Sequence, residues 1–363
     1  MKTILFSTSS LWNCGDDYIR DGVNELLQLK EDVRVLWWNR GFGITNSYAN
    51  ALKVNLPLMD YFIVAGTPKW IFNNEKIYQY CLDHSIPLSI IGVGTKDFVT
   101  SAQYELMRKI ARSGLCEIVI ARDKAAYQAF KELGFTNCHL MLDPCFFKPT
   151  RPGSTLPKLH IVGWREQYSL DGDPKLALKH PLLVVKRLLS GGALNFADKN
   201  KLKQTYDNLF IDYFNRLPSP KIVTVHDNRE IAAAEALFGK DNVYYATDYE
   251  ALFSLYSRAK SYFGSRIHGA IPAIIHGASA QLVYTTEKAE VVTQSMEIIG
   301  KSYPEISDFV SVHQFNQEFK TIPPLATSAR IELETLHQAI ETNRLETQKQ
   351  LALLPTLRDY LNI

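Results

Sequence analysis

The stretch SYFGSRIHGAIPAIIHGASAQLVYT, residues 261–285, predicts the fold of this chain. Its apolar run up to Gly264 is typical of a buried strand, the segment 269–277 is typical of a short helix, and AQLVYT begins another strand. A strand, helix and strand in this order form the repeating unit of a parallel β-sheet. Arg266 and His268 lie at the turn between the first strand and the helix.

The same alternation extends along the chain in both directions. In the first half, TILFSTS, VRVLWWN, YFIVAG, PLSIIGVG, EIVIARD and HLMLDP are short apolar runs separated by amphipathic helical segments. After FFKPTRPGSTLPK, which has the composition of a linker, LHIVGW, KIVTVH and VYYAT resume the alternation. The sequence therefore predicts an α/β protein with two Rossmann-like domains facing a cleft. The expected divisions are an N-terminal domain over 1–150, a C-terminal domain over 158–326, and a long helix over 327–363 that packs across the domains.

The composition predicts a globular protein in the cytoplasm. Of 363 residues, 46% are hydrophobic and 21% charged, and 40 basic against 38 acidic residues give a net charge of +2. Such a balance does not attract nucleic acid or an anionic membrane surface. No apolar run approaches the roughly 18 residues that span a bilayer, and the chain starts without a signal-peptide pattern. Five scattered cysteines without CxxC spacing indicate reduced thiols.

The turn after the strand 261–264 is the main candidate for an anion site. Ligands of open α/β sheets lie beyond the carboxyl ends of the strands, and a helix N-terminus stabilises a negative charge. Arg266 offers a planar fork for a carboxylate or phosphate, His268 can donate a proton near neutral pH, and Gly269 leaves room for a ligand. The alternative is that Arg266 pairs with a carboxylate and His268 caps the turn. His276 is expected to interact with the end of the helix.

Two other strand ends in the second half carry polar residues. Arg165 follows LHIVGW and is a further candidate anion ligand. His226 and Asp227 follow KIVTV, where they either complete a composite site or, with equal weight, leave Asp227 as a plain helix N-cap. Because the nine histidines lack the spacing of a metal motif, we expect metal-independent chemistry.

Polar residues also follow two strands of the first half. The turn NCGDD matches neither a dinucleotide fingerprint nor a P-loop, and its small and acidic residues suit hydrogen bonds to a neutral polyol. An N-cap role is an equal alternative for its first aspartate. The candidates for binding a ligand on this side of the cleft are Asn13, Gly15, Asp16, Asp17, Gly66 and Thr67.

Four motifs in order resemble the polysaccharide pyruvyltransferase family: NCGDD, ARDKAAYQAFKELGF with LDPCFF, VTVHDNRE, and above all FGSRIHGAIPAIIHGASAQLVYTTEKAE. The resemblance extends over about residues 1–300. It implies a fold like that of the two-domain GT-B glycosyltransferases. It also implies transfer of pyruvate from phosphoenolpyruvate, without a cofactor, to a sugar of a cell-surface or extracellular polysaccharide, typically as a ketal bridging two hydroxyls.

The resemblance further implies roles for individual residues. Arg266 would bind the anionic groups of the donor, and His268 would bind phosphate or protonate the methylene carbon. Arg165 and Lys288 are further candidates for the same anion. The residues that would orient the acceptor or take its proton are Asp16, Asp17 and His226.

Two departures from the family pattern lie on the acceptor side. Members often carry GG before the N-x-G-D element, where this chain has SLW, and a glycine-rich loop where it has AGTPKW. The stretch 168–197, apolar and flanked by lysines, is either an ordinary helical insertion or an element that reaches toward a lipid-linked acceptor in peripheral contact with a membrane. Two alternative functions remain: a nucleotide-sugar glycosyltransferase of GT-B type, and a non-catalytic glycan-binding protein.

Overall fold

A computed structural model describes most of the chain. The described residues are 2–8, 14–39, 59–67, 74–94, 100–150, 156, 158–166, 196–284, 290–300, 310–314 and 333–363. Asn13, Lys288 and nearly all of the stretch 168–197 lie outside them, as do the side chains of Asp16 and Thr67.

The N-terminal half forms a parallel sheet with helices between its strands. The strands are β1 (Thr3–Thr8), β2 (Arg34–Asn39), β3 (Tyr61–Thr67), β4 (Leu88–Val93), β5 (Cys116–Ala121) and β6 (Cys138–Leu140). The helices are α1 (Cys14–Leu27), α2 (Glu75–His84), α3 (Ser101–Ser113) and α4 (Lys124–Leu133). The strand order is β2-β1-β3-β4-β5-β6.

The C-terminal half forms a second parallel sheet. Its strands are β7 (Leu159–Gly163), β8 (Lys221–Thr224), β9 (Val243–Tyr244), β10 (Ala259–Gly264), β11 (Ser279–Tyr284) and β12 (Val310–Gln314). Its helices are α5 (Phe196–Arg216), α6 (Ile231–Phe238), α7 (Tyr249–Tyr256), α8 (Ile267–Ile275) and α9 (Glu290–Gly300), and α10 (Leu333–Leu351) follows. The order is β12-β11-β10-β7-β8-β9. The predicted α/β class with two Rossmann-like units is confirmed.

Local hydrogen bonds fix the strand ends that matter for the site. Directly after β5, the backbone N–H of Arg122 donates to the Val93 carbonyl at 2.9 Å. The next residue, Asp123, caps α4 by accepting from the Ala126 N–H at 2.7 Å. An N-cap of this kind satisfies one of the free N–H groups at a helix start. Arg122 is therefore held between a strand and a capped helix.

A continuous apolar core joins the two halves. It runs from Phe6 of β1 and Tyr18 of α1 to Phe253 of α7 and Ile271 of α8, all at most 1% exposed. Helix α1 also packs against a turn of 3₁₀ helix, Pro144–Phe147, that ends the first half. The helix approaches this turn at Gly22, where a β-carbon would lie 1.8 Å from the Pro144 carbonyl oxygen.

The structure differs from the sequence predictions at several elements. Helix α8 begins at Ile267 rather than at 269, so Pro272 lies in the helix body and not in its first turn. A proline there cannot donate to the His268 carbonyl four residues earlier. The sequence patterns did not predict α9 or β12. Helix α10 contacts both halves, since Gln348 donates to Leu26 of α1 and His337 contacts the Ile275 carbonyl of α8. The predicted domain boundaries stay predictions. In the described part of the chain, no helix has the length and apolarity to cross a membrane.

Candidate functional site

The carboxyl ends of three neighbouring strands bring predicted residues together in the C-terminal half. Strand β7 lies between β10 and β8, so the order of the sheet reverses at β7. Open α/β sheets bind ligands beyond the strand ends at such a point. Arg165 follows β7, Arg266 follows β10 and His226 follows β8.

His268 lies in the first turn of α8 and contacts the N-terminal half. Its Nε2 atom is 3.2 Å from Nη1 of Arg122 and 3.5 Å from Oδ2 of Asp143. Arg122 in turn donates to Asp143 Oδ2 at 2.7 Å. The imidazole is 12% exposed, whereas the Arg122 and Asp143 side chains are 2% and 0% exposed. A candidate acid from one sheet therefore meets a buried ion pair from the other.

Asp143 is ionised despite its burial. Burial alone would raise the pKa of this carboxyl, but the Arg122 guanidinium, the contact with His268 and the Cys145 N–H together hold the pKa well below its usual range. Asp143, Cys145 and His268 also place potential metal-ligand atoms within 4.8 Å of one another. Because the Arg122 guanidinium already bonds this carboxylate, its positive charge disfavours a cation there. Metal independence stays a prediction.

Gly15 lies against His268 from the opposite side of the cleft. It is the second residue of α1, and a β-carbon added to it would lie 2.7 Å from Nδ1 and 2.9 Å from Cβ of His268. These distances are too short for any side chain, so glycine is required by the close approach of the imidazole. The predicted acceptor-side turn thus reaches the predicted donor-side histidine.

Only part of the Arg266 guanidinium is hydrogen bonded. It occupies the N-cap position of α8 without capping it, and its Nη2 donates to Glu230 Oε1 in an ion pair whose side chains are 12% and 2% exposed. Among the described residues, Arg266 Nε, Glu230 Oε2 and the neighbouring Ser265 Oγ are buried without a hydrogen-bond partner. Burial and the negative charge of Asp227 raise the pKa of Glu230, against the opposing effect of Arg266. Buried polar groups without partners are rare in proteins, and their clustering indicates a binding position.

Arg165 forms no hydrogen bond or ion pair with any residue that the structure describes. The residue as a whole is exposed. Partial desolvation of its guanidinium by the surrounding protein, followed by the positive charge of Arg266, lowers the pKa of Arg165. Glu230 opposes this shift. The surroundings are positive enough that an anion would be favoured beside Arg165.

His226 and Asp227 take structural roles in the geometry seen here. His226 is 1% exposed, and its Nε2 lies 2.6 Å from the Tyr256 hydroxyl. Burial, followed by the charges of Arg266 and His268, lowers its pKa well below the ordinary value, so the ring is neutral. Asp227 caps the short 3₁₀ helix Asn228–Glu230 through the Arg229 N–H and also pairs with the Arg229 guanidinium. The N-cap alternative therefore describes Asp227, and both substrate-binding roles stay predictions.

Packing explains two of the other predicted positions, Gly269 and Gly66, and an ion pair within α1 explains a third, Asp17. A β-carbon on Gly269 would lie 2.7 Å from the Tyr262 hydroxyl, so this glycine makes room for a tyrosine rather than for a ligand as the sequence suggested. Gly66 has a φ of +58°, and a β-carbon added to it would lie 2.0 Å from the side chain of Ile19 in α1. Asp17 accepts from Arg20 at 3.0 Å within α1. As expected, His276 bonds near the end of its helix, to the Pro272 carbonyl at 2.7 Å.

Arg122, Asp143 and Glu230 are site residues that the sequence patterns missed. Arg122 and Asp143 lie in ARDKAAYQAF and LDPCFF, motifs of the resemblance to which no role was given. Glu230 lies in VTVHDNRE, where only His226 and Asp227 were singled out. Arg122 follows a strand directly, so the rule that selected Arg165 and Arg266 would have selected it as well. The assembled site contains three guanidinium groups, an imidazole and two buried carboxylates. Such a set can bind a small ligand with two anionic groups and move one proton.

Comparisons with known proteins agree with this architecture. A sequence model of a family described as polysaccharide pyruvyl transferase matches residues 13–280. No curated protein sequence matches the chain. MnaA of S. aureus, solved with UDP, superposes with a TM-score of 0.50 at 10% identity, over 96% of this chain and 91% of its own. A putative UDP-N-acetylglucosamine 2-epimerase of Listeria monocytogenes gives 0.48 at 9% identity, over 100% and 93%. MurG of Acinetobacter baumannii gives 0.41 at 10% identity, over 99% and 98%. The likeness to MnaA confirms the two-domain, GT-B-like fold, and at this identity it concerns the fold alone.

Proposed function

This chain belongs to the polysaccharide pyruvyl transferase family, and from that membership we propose that it transfers a pyruvyl group from phosphoenolpyruvate to a sugar of a cell-surface or extracellular polysaccharide. The observation that carries the proposal is a set of three arginines at the facing strand ends: Arg122 contacts His268, and Arg165 lies close enough to Arg266 that, after desolvation, the charge of Arg266 lowers its pKa. Arg122 and Arg266 each have a buried Nε–H group without a hydrogen-bond partner among the described residues. Arg165 forms no hydrogen bond or ion pair with any of them.

Phosphoenolpyruvate suits this set because it is small and carries a carboxylate and a phosphate close together. A guanidinium fork binds either group through paired hydrogen bonds. We assign one anionic group to Arg266 with Arg165, which flank Glu230, and the other to Arg122 across the cleft. The start of α8 adds the positive end of a helix dipole on the same side.

His268 is the group placed to assist the chemistry. A proton is added to the methylene carbon, C3, through the electron pair of the C2–C3 double bond, which leaves C2 electrophilic. One sugar hydroxyl forms a bond to C2 and loses its proton. A second hydroxyl then bonds to C2 as the bond from C2 to the phosphate oxygen breaks, and its proton leaves with phosphate. The two hydroxyl protons thus balance the one gained at C3 and the one carried by phosphate.

The acceptor is proposed to lie on the side of α1. Gly15 brings the start of α1 against His268, so a hydroxyl near this helix would reach the reacting carbon. Asp17 and Gly66 lie on the same sheet edge, although Asp17 bonds Arg20 and Gly66 packs on Ile19. The roles of Asn13, Asp16, Thr67 and Lys288 in binding stay part of the proposal.

Donor binding and transfer test the proposal directly. Isothermal titration with phosphoenolpyruvate should show binding that Arg266→Lys weakens, because lysine keeps the charge but loses the fork. Incubation with phosphoenolpyruvate and candidate saccharides should release phosphate and give a product heavier by one pyruvyl ketal, with and without a chelator. As a control, Arg108→Lys on the exposed face of α3 should bind as the wild type does. Binding of UDP or GDP with no response to phosphoenolpyruvate would favour a nucleotide-sugar enzyme instead.

A further inference from the structure

The described residues around His268 leave no room for a donor at its ring nitrogens. Nε2 faces Arg122 at 3.2 Å and Asp143 at 3.5 Å, and a β-carbon on Gly15 would lie only 2.7 Å from Nδ1. Arg122 is covered as well, because a β-carbon on Gly94, directly after β4, would lie 2.7 Å from its Nε atom. A donor can contact both groups only after the two halves of the protein separate.

Behind His268 the two halves are joined by an apolar interface. Tyr18 follows Gly15 along α1 and Ile271 follows His268 along α8, and both are fully buried in one core with Phe253 of α7. The rings of Tyr18 and Phe253 meet edge to face, with centroids 5.7 Å apart. Exposure of such a surface to water is unfavourable, and domains do not come apart at a large apolar interface. This side of the interface therefore stays packed when the halves move.

On the side of Arg122 the halves meet through polar contacts between α4 and α9. Gln294 accepts from the backbone N–H of Lys124, the first residue of α4, at 2.8 Å. The Lys124 ammonium pairs with Glu297 at 2.9 Å, and both side chains are more than half exposed. Exposed ion pairs contribute little to stability, and water replaces a hydrogen bond that is lost at the surface. These contacts can therefore open at little cost.

Helix α9 lies against the two loops that carry Arg122 and Asp143. Lys124 is two residues after Arg122, and the Asp143 N–H donates to Ser295 Oγ of α9 at 3.4 Å. In the C-terminal half, α9 packs on β12 and buries Val292 completely. A rotation that lifts α9 from α4 therefore carries the C-terminal sheet with it and moves His268 away from Arg122.

We propose that the contact of Lys124 with Gln294 and Glu297, which we call the latch, keeps the free protein closed over His268, and that the donor enters when the latch opens. The identity of the donor rests on the proposed function. Once phosphoenolpyruvate lies between His268 and Arg122, the halves cannot return to the arrangement seen here, because the donor occupies space that the two side chains fill in the closed form. The free protein is thus closed, and the donor-bound protein is more open.

Weakening the latch should strengthen donor binding. When a ligand binds only the open form, its apparent Kd falls as the open fraction of the free protein rises. Gln294→Ala combined with Glu297→Ala removes both polar contacts, and titration calorimetry should give a severalfold lower Kd for phosphoenolpyruvate. Glu105→Ala, which removes an exposed ion pair within α3, is the matched control and should leave the Kd unchanged. An unchanged or higher Kd in the α9 variant overturns the proposal.

Fixing the latch should prevent donor binding. Lys124→Cys with Glu297→Cys can be joined by a short bis-methanethiosulfonate, which reductant releases. The linked protein should lose phosphoenolpyruvate binding and regain it on reduction, and this recovery excludes misfolding as the cause. Glu105→Cys with Arg108→Cys, linked within α3, and wild-type protein treated with the same reagent are the controls and should bind throughout. Full binding by the protein linked between α4 and α9 overturns the proposal.

A measurement without donor separates the latch from the proposed function. Diethylpyrocarbonate modifies a histidine when a ring nitrogen becomes accessible, and mass spectrometry of the peptides shows the reaction at His268. The link between α4 and α9 should block this reaction, whereas the link within α3 should not, and equal rates in the two linked proteins overturn the proposal. If the wild type neither binds phosphoenolpyruvate nor transfers pyruvate, the proposed function fails, while the rate at His268 still decides whether the latch opens.

Discussion

Arg122, at the end of β5, and His268, in the first turn of α8, lie 3.2 Å apart between Nη1 and Nε2. The two residues are 146 positions apart in the chain and belong to different sheets. Asp143 bonds Arg122 at 2.7 Å and faces the same imidazole nitrogen. The buried ion pair of the N-terminal half therefore contacts the candidate acid of the C-terminal half.

Arg122→Met should strongly destabilise the protein. It leaves Asp143 ionised and unpaired in a fully buried position, and loss of one partner of a buried pair costs about 3–5 kcal/mol. The free energy of unfolding in urea measures this. The double variant Arg122→Met with Asp143→Asn should recover most of the lost stability but none of the transfer activity. A stable single variant, or an active double variant, would contradict this account.

Gly22→Ala should destabilise the fold by about 1–3 kcal/mol, the usual range for an overpacked position. The added methyl would meet the backbone carbonyl of Pro144 at 1.8 Å, and the backbone cannot move aside as a flexible side chain can. Thermal and urea unfolding would show the loss. Asn24→Ala in the same helix should be neutral or slightly stabilising, so equal stability of the two variants would argue against the packing explanation.

The architecture was predictable because its signal is repeated. Short apolar runs such as LSIIGV, buried at all six positions of β4, are typical of strands covered on both faces, and the helices between them have clear ends such as Gly114 and Gly134. Strand β12 was missed because VSVHQ alternates apolar and polar residues, as a strand at the edge of a sheet does, and lacks the continuous apolar run used to find the others.

The site was predictable only where one local motif contains the chemistry. Arg266 and His268 were found because a strand end, two cationic groups and a helix start follow one another within a few residues. Asp143 was missed because its partners, Arg122 and His268, are 21 and 125 residues away. Gly269 was interpreted as space for a ligand because Tyr262, which fills that space, is brought there only by folding.

The stability of the protein should fall between about pH 6.5 and pH 5 through His226. The folded-state pKa of this buried imidazole lies well below the ordinary value of about 6.5, so in this window the unfolded chain takes up a proton that the folded protein does not. The contribution is at most about 1.4 kcal/mol per pH unit. His139 and His160, whose pKa values are also lowered, act in the same direction.

His226→Gln tests this assignment because glutamine can still bond the Tyr256 hydroxyl but does not titrate. Unfolding free energies measured at several pH values should have a smaller slope in the variant than in the wild type. Titration of Asp143 does not contribute in this pH window. Its pKa is lowered in the folded protein, so the stability it contributes is complete above about pH 4 and is lost only as the pH falls further. An unchanged slope would show that His226 is not the titrating group.

Glu230→Gln should strengthen the binding of phosphoenolpyruvate. The buried Glu230 carboxylate holds one side of the Arg266 guanidinium, and its negative charge opposes that of an incoming anion. Glutamine keeps an oxygen that can accept from Arg266 but removes the charge, and a charge a few ångströms from the ligand changes affinity severalfold or more at the effective dielectric of such sites. Titration calorimetry would measure the change, with Asp241→Asn on the surface as a control for charge alone. Weaker donor binding in Glu230→Gln would mean that the carboxylate orients Arg266 for the donor and does not compete with it.

The same variant should also change how stability depends on pH. Because the pKa of Glu230 is raised, its ionisation lowers the stability of the wild type as the pH rises above about 4.3, and the variant should lack this loss.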